Sequence, residues 1–131
     1  MINKVLLFGG SGYVGGVFDQ LLQQKNAVVV RGPKHTALVD ESTVYQAIKQ
    51  HNPTVVINAG GFTGKPNVDA CETQKEQCYM GNVTLPVWMA KACDRLDVPF
   101  AQVSSGCIYN GHDKAYKESD APDFSFCLLY T

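Results

Sequence analysis

Two kinds of apolar pattern alternate along the chain. Short apolar-rich runs occur at Lys4–Phe8 (KVLLF), Ala27–Arg31 (AVVVR), Thr54–Asn58 (TVVIN) and Pro99–Ser104 (PFAQVS). Strands of a parallel sheet, covered on both faces, read this way. Between the first two runs, Val14, Val17, Phe18, Leu21 and Leu22 recur at three- and four-residue steps and predict an amphipathic helix to about Lys25, with Asn26 as its stop. A short strand is expected around Ala37–Val39. Asp40 or Ser42 can then cap a helix carrying Val44, Tyr45 and Ile48, which Pro53 ends. Ala59–Asn67 holds three glycines and a proline and must be loop. Val68 to about Leu96 reads as helix, interrupted near Gly81 and Pro86. After Ser105 the pattern fades into a polar stretch and a small apolar ending at Phe124–Tyr130.

Strand–helix alternation with buried-type strands predicts βαβ units, hence an α/β, Rossmann-like, doubly wound parallel sheet of about five strands. At 131 residues and 45% hydrophobic content, one domain spanning 1–131 is expected to close its own core. Eleven basic against twelve acidic residues give a net charge of −1, so no electrostatic case exists for a nucleic-acid or anionic-membrane partner. The longest unbroken apolar runs, Val5–Phe8 and Ala27–Val30, are too short to span a bilayer, and the start lacks a signal-like stretch. Cysteines stand at 71, 78, 93, 107 and 127, an odd number with no CxxC. A reducing, cytoplasmic setting is expected, without a disulfide framework. His35, His51 and His112 have no metal-ligand spacing and read as surface or loop histidines, so no metal is expected.

The chemistry begins at Gly9-Gly-Ser-Gly-Tyr-Val-Gly15, between the first strand and the first helix. One glycine permits the tight turn, the next lets backbone approach a pyrophosphate, and the third lets helix pack on strand. The amides of the helix N-terminus then face the phosphates. Gly9, Ser11, Gly12, Tyr13, Val14 and Gly15 are therefore expected to bind a dinucleotide; a plain structural turn is the other reading. A site preferring NAD carries an acid at the end of the second strand. Between Asp19 and Asp40 there is none, and Arg31 stands at that place with Lys34 and His35 nearby. A guanidinium there suits the 2′-phosphate of NADP(H), the alternative being a solvated strand-end arginine.

Gly9xxGly12xxGly15, Asn58-Ala-Gly-Gly61 and Ser104-Ser-Gly-Cys-Ile-Tyr109, in this order, resemble the extended short-chain dehydrogenases/reductases. Phe62–Glu72, Gly81-Asn-Val83 and Lys117-Glu-Ser-Asp-Ala-Pro122 narrow the resemblance to the 3,5-epimerase/4-reductases that make nucleotide-linked rhamnose and to the dTDP-4-dehydrorhamnose reductases. The resemblance implies coenzyme contacts at Ala59 and Gly60 and a UDP- or dTDP-4-keto-6-deoxyhexose substrate. Ser105 takes the serine role toward the sugar C4 carbonyl, and Asn82 matches a supporting helix asparagine. Tyr130, 25 positions later, is either the catalytic tyrosine or an unrelated residue, since Phe126–Leu129 departs from the polar stretch usual there. Cys107 is either an acid–base partner in epimerisation or a packing cysteine. Thr63, Lys65 and Asn67 either face the substrate or belong to a solvated loop.

A chain of this kind is expected to be the coenzyme-binding part of a longer enzyme, because relatives add a tyrosine-partner lysine and a sugar-binding domain. It would then hold NADP(H) weakly and turn over little. Its Pro99–Val103 edge would favour self-association, with a homodimer as a candidate assembly. The rival reading is a non-catalytic NADP(H)-binding or regulatory protein on the same scaffold. A single-activity epimerase or dehydratase is a third, and Cys107 with Gly106 in place of an acid argues against the dehydratase.

Overall fold

The structure is a computed structural model, and it describes residues 4–104, 108–110 and 114–123. Strand β1 (Lys4–Phe8) leads through the glycine turn into helix α1 (Tyr13–Gln24), then β2 (Val28–Arg31). Helix α2 (Glu41–His51) and β3 (Val55–Asn58) follow. A 3₁₀ turn (Val68–Glu72), α3 (Lys75–Tyr79), a π turn (Met80–Thr84), α4 (Leu85–Leu96) and β4 (Phe100–Gln102) complete the order. All four strands run parallel in the order β2-β1-β3-β4.

The fold follows from β1, whose Val5, Leu6, Leu7 and Phe8 are all fully buried. Alternate side chains leave opposite faces of a strand. Leu6 and Phe8 join Val56 of β3 in a core with Val44 and Ile48 of α2 and Leu85 and Met89 of α4. Because the chain moves from β1 to β2 on one side and then crosses to β3 on the other, right-handed crossovers put α1 and α2 on opposite faces. The strand order therefore reverses at β1, and a cleft opens at the carboxyl ends of β1 and β3.

Asp40, not Ser42, caps α2: Oδ1 accepts from the Thr43 amide at 2.7 Å. Asn26 ends the α1 connection at φ 59°, as its stop reading requires.

Several expectations change. Ala37–Val39 is no strand: His35–Ala37 forms a 3₁₀ turn, closed by Ala37 N–Lys34 O and Leu38 N–His35 O bonds of 2.9 and 3.0 Å. The segment supplies one anchor, Leu38, to the core, and its amides are satisfied locally, so no ladder forms and the sheet has four strands among the described residues. The long helix over 68–96 is divided into 3₁₀, α, π and α segments. At Gly81 a Cβ would stand 2.8 Å from the Phe62 Cβ, so the π turn lies directly against the β3 loop. Strands β2 and β4 are edge strands of this sheet, and Val28 is 59% exposed rather than sandwiched. On α1 the buried line runs through Gly15 and Asp19, while Val14, Val17 and Leu21 face outward.

Candidate functional site

At the end of β1 the chain turns at Gly9, φ +74°, where a side chain would be strained. It would also collide: a Cβ there overlaps the Gly60 backbone and lies 2.7 Å from the Ala59 carbonyl carbon. The β1 and β3 loops thus touch backbone to backbone. Gly15 is the matching contact from α1, where a Cβ would overlap the Gly9 carbonyl. Gly12 N donates to Gly9 O at 2.9 Å and stands as the N-cap of α1 with no side chain capping it and no acid in the first turn. The unpaired amides of that helix end therefore face the cleft without an internal acceptor.

The cleft measures about 970 Å³ and runs from this turn past Arg31 and His35 to Ala59–Thr63 and Gln102–Ser104. Of the sequence-predicted residues it brings together Gly9, Ser11, Gly12, Tyr13, Val14, Arg31, Ala59, Gly60 and Thr63. Gly15 sits behind the turn as a packing contact. Neither Lys65 nor Asn67 lines the cleft. Asn67 Oδ1 accepts from the Asp69 amide at 3.0 Å and so caps the following 3₁₀ turn. Lys65 is exposed. Ser104 lies on the cleft, whereas Ser105, Cys107 and Tyr130 lie outside the described residues.

Side-chain amides hold the far wall. Asn58 is fully buried; its Nδ2 donates to Gln102 Oε1 at 2.8 Å and its Oδ1 accepts from the Gly60 amide at 3.1 Å. Asn82, in the π turn, clamps Phe62 on both backbone groups: Phe62 N donates to Oδ1 at 2.7 Å, and Nδ2 donates to Phe62 O at 2.9 Å. Asn82 thus holds the loop that carries Thr63, and it also lines the cleft.

Two residues matter more than the sequence suggested. His35 lies, as expected, in the connection after β2, but it is half-buried: its ring packs on Gly60, where a Cβ would overlap it. Its Nε2 is buried with no hydrogen-bond partner among the described residues, and burial lowers its pKa below the ordinary 6.5, partly opposed by Asn58. Asp19 pairs with Arg31, Oδ2 lying 2.6 Å from Nη2 and 2.8 Å from Nε, and Gln23 Nε2 donates to Oδ1 at 2.5 Å. The Arg31 and Gln23 hydrogen bonds hold the Asp19 carboxyl below its ordinary pKa. Arg31 is accordingly anchored rather than freely solvated. The signal for this pair was a lone acid inside the apolar stripe of α1, four residues before a glutamine.

Among the described residues no group of three or more His, Cys, Asp or Glu could hold a metal, and no helix is long and apolar enough to cross a membrane. Cys71 and Cys93 are buried thiols, and burial pushes Cys93 up to about 11, which suits packing and not chemistry.

Known proteins resemble this chain in sequence and fold. The trifunctional UDP-glucose 4,6-dehydratase/UDP-4-keto-6-deoxy-D-glucose 3,5-epimerase/UDP-4-keto-L-rhamnose-reductase of Arabidopsis thaliana is 31% identical over 129 residues, which is 93% of this chain and 19% of that protein. The crystal structure of the L780 UDP-rhamnose synthase from Acanthamoeba polyphaga mimivirus superposes with a TM-score of 0.86 at 25% identity, over 99% of this chain and 48% of that one. A dTDP-4-dehydrorhamnose reductase from Bacillus anthracis, solved in complex with NADP, shares the fold at a TM-score of 0.79 and 19% identity, over 93% of this chain and 43% of that one. This chain therefore spans a fifth to a half of the length of these proteins. The pattern of the RmlD substrate binding domain runs through residues 3–124, and the chain belongs to that family.

Proposed function

We propose that the chain is the NADPH-binding part of a nucleotide-sugar epimerase/reductase. The substrate would be a UDP- or dTDP-linked 4-keto-6-deoxyhexose, epimerised at C3 and C5 and reduced at C4 to a rhamnose-type product. The observation that carries this reading is the uncapped N-terminus of α1, set over the Gly9–Gly12 turn where the strand order reverses. The names of the relatives support the substrate class.

The residues present fit the coenzyme. The amide end of α1 offers its positive pole to a pyrophosphate, with Gly9 and Gly15 keeping the backbone close enough for contact. Arg31 offers a guanidinium at the β2 tip for a 2′-phosphate. Ala59 and Gly60 form the floor between the two loops. When bound, NADPH supplies the hydride for reduction of the C4 ketone. In this reading Ser105 hydrogen-bonds the C4 oxygen, Tyr130 delivers the proton there, and Cys107 exchanges the proton next to the ketone. A tyrosine with a free pKa near 10 needs a neighbouring cation to do this at neutral pH. Thr63, on the loop Asn82 holds, faces the sugar side, with Lys65 and Asn67 further along the same loop.

Titration of the purified chain with NADPH and NADH, followed by coenzyme fluorescence, tests the reading. Saturable binding that favours NADPH is expected. If neither nucleotide bound, the cleft would not be a coenzyme site and the reading would fall.

A further inference from the structure

Asp19 departs from the chemistry of its own helix. It lies on the buried line of α1, 4% exposed, where the desolvation of a carboxylate is borne only when partners hold it. Both of its oxygens are engaged, Oδ2 by the Nε and Nη2 of Arg31 and Oδ1 by Gln23. Arg31, for its part, is 62% exposed and lines the cleft. Its stem rests against Gly10, where a Cβ would stand 3.3 Å from the Arg31 Cγ. The guanidinium is thus fixed along its Nε–Nη2 edge, and Nη1 makes no hydrogen bond among the described residues.

We infer that Asp19 is a positioning residue for coenzyme selection: it pre-orders Arg31 as the receptor for the 2′-phosphate. The inference rests on the reading of the cleft as an NADP(H) site and adds a residue that never touches the ligand. An exposed arginine has many rotamers, and a phosphate that had to order it would lose part of the contact energy to entropy. Asp19 removes that loss before the ligand arrives. With both oxygens engaged and the residue itself absent from the cleft lining, it is not placed to accept from a ribose hydroxyl. A carboxylate at this strand tip therefore serves the preference opposite to the one it serves when it belongs to the strand itself.

The test is a set of variants of the chain titrated with NADPH and NADH: Asp19→Asn, Asp19→Ala and Arg31→Met, plus Asp19→Ala in the Arg31→Met background. Asp19→Ala should weaken NADPH by about three- to tenfold, the range for freeing one rotamer-rich side chain, and leave NADH unchanged. Asp19→Asn, which keeps one acceptor and the side-chain volume, should show a smaller loss. With Arg31→Met already present, Asp19→Ala should not alter the NADPH/NADH ratio further. A parallel loss for both nucleotides would make Asp19 merely structural and overturn the inference. So would tighter NADPH binding, which would mean that its charge only repels the phosphate. An unchanged ratio with NADPH still bound sinks the inference and leaves the coenzyme reading standing, whereas no binding by the parent chain sinks both.

Discussion

The two walls of the cleft are made in different ways. On the β1 side, Gly9, Gly12 and Gly15 shape the wall by having no side chain, so that backbone meets backbone. On the β3 side, three amide side chains do the work: Asn58 ties β3 to Gln102 and to Gly60, and Asn82 holds Phe62. At Gly9 and Gly15 the glycine wall is intolerant of added volume, while the amide wall is intolerant of lost hydrogen bonds. The first wall presents the uncapped end of α1 to the cleft, whereas on the second the amides of Ala59, Gly60 and Phe62 are bonded internally. In the proposed function, phosphate binding falls to the first wall and the shaping of the substrate loop to the second.

The largest effect is expected on the glycine wall. Gly15→Val would drive carbon into the Gly9 carbonyl and the Gly10 Cα, both main-chain atoms that cannot step aside. A loss of ~4 kcal/mol or outright failure to fold is expected, read as a lowered denaturant midpoint. Retained stability would show that the turn can move away from α1. Asn82→Leu ranks second, because it strands the amide and carbonyl of Phe62 and also a contact to Cys78 Sγ at 3.4 Å. Here ~2 kcal/mol is expected from two partly buried backbone groups left unpaired. If Asn82→Leu proved neutral in a urea titration, the amide wall would be ornament and the comparison would fail.

The glycine wall was legible in local pattern, whereas Asn58 and Asn82 entered only through the resemblance and their hydrogen-bond partners not at all, for a physical reason. Gly9, Gly12 and Gly15 recur every three residues where a buried strand passes into a periodic helix, so local pattern alone identifies them. The amide partners are 20 and 44 residues apart, and nothing in either stretch signals the other. Parallel-strand character was read correctly for Lys4–Phe8, but it did not separate the central strand from edge strand β2, since a short apolar run looks alike in both places. Likewise periodicity grouped Val14, Val17 and Leu21 with the buried face of α1, although Gly15 and Asp19 occupy it. Residue type misled there, because a paired carboxylate can be buried. The Ala37–Val39 strand failed on length: three residues with one core anchor close a turn more readily than they find a ladder.

A smaller substitution separates binding from stability on the glycine wall. At Gly12 φ is −80°, and a Cβ would meet only the Gly9 carbonyl oxygen at 3.3 Å. Gly12→Ala should therefore fold, with a stability change of under ~1 kcal/mol. Yet it adds a methyl at the helix end proposed to receive the phosphates, and NADPH affinity should fall about tenfold, or ~1.4 kcal/mol. Calorimetric titration beside thermal unfolding distinguishes the two effects. Unchanged affinity would remove the α1 terminus from the coenzyme contacts.

The smallest effect lies where the walls meet, at His35 over Gly60. Burial favours its neutral form and lowers its pKa below the ordinary 6.5, with Asn58 acting in the opposite direction. The unfolded chain therefore takes up a proton near pH 6.5 that the folded chain accepts only at lower pH. Over that interval the unfolded state binds more protons, so stability is complete above 6.5 and declines as the pH falls below it. Once the pH passes the folded value, both states are protonated and the decline from this group stops. Desolvation of the ring sets the direction, and the hydrogen bond with Asn58, which favours the protonated form, offsets only part of it. His35→Gln should flatten this part of the stability profile while leaving the loss expected at more acidic pH, where Asp19 gives up its charge and its hold on Arg31. Denaturant midpoints of parent and variant, collected from neutral to mildly acid pH, decide the matter: parallel profiles would mean that His35 titrates in the fold as it does in water, and that the junction of the two walls is wet.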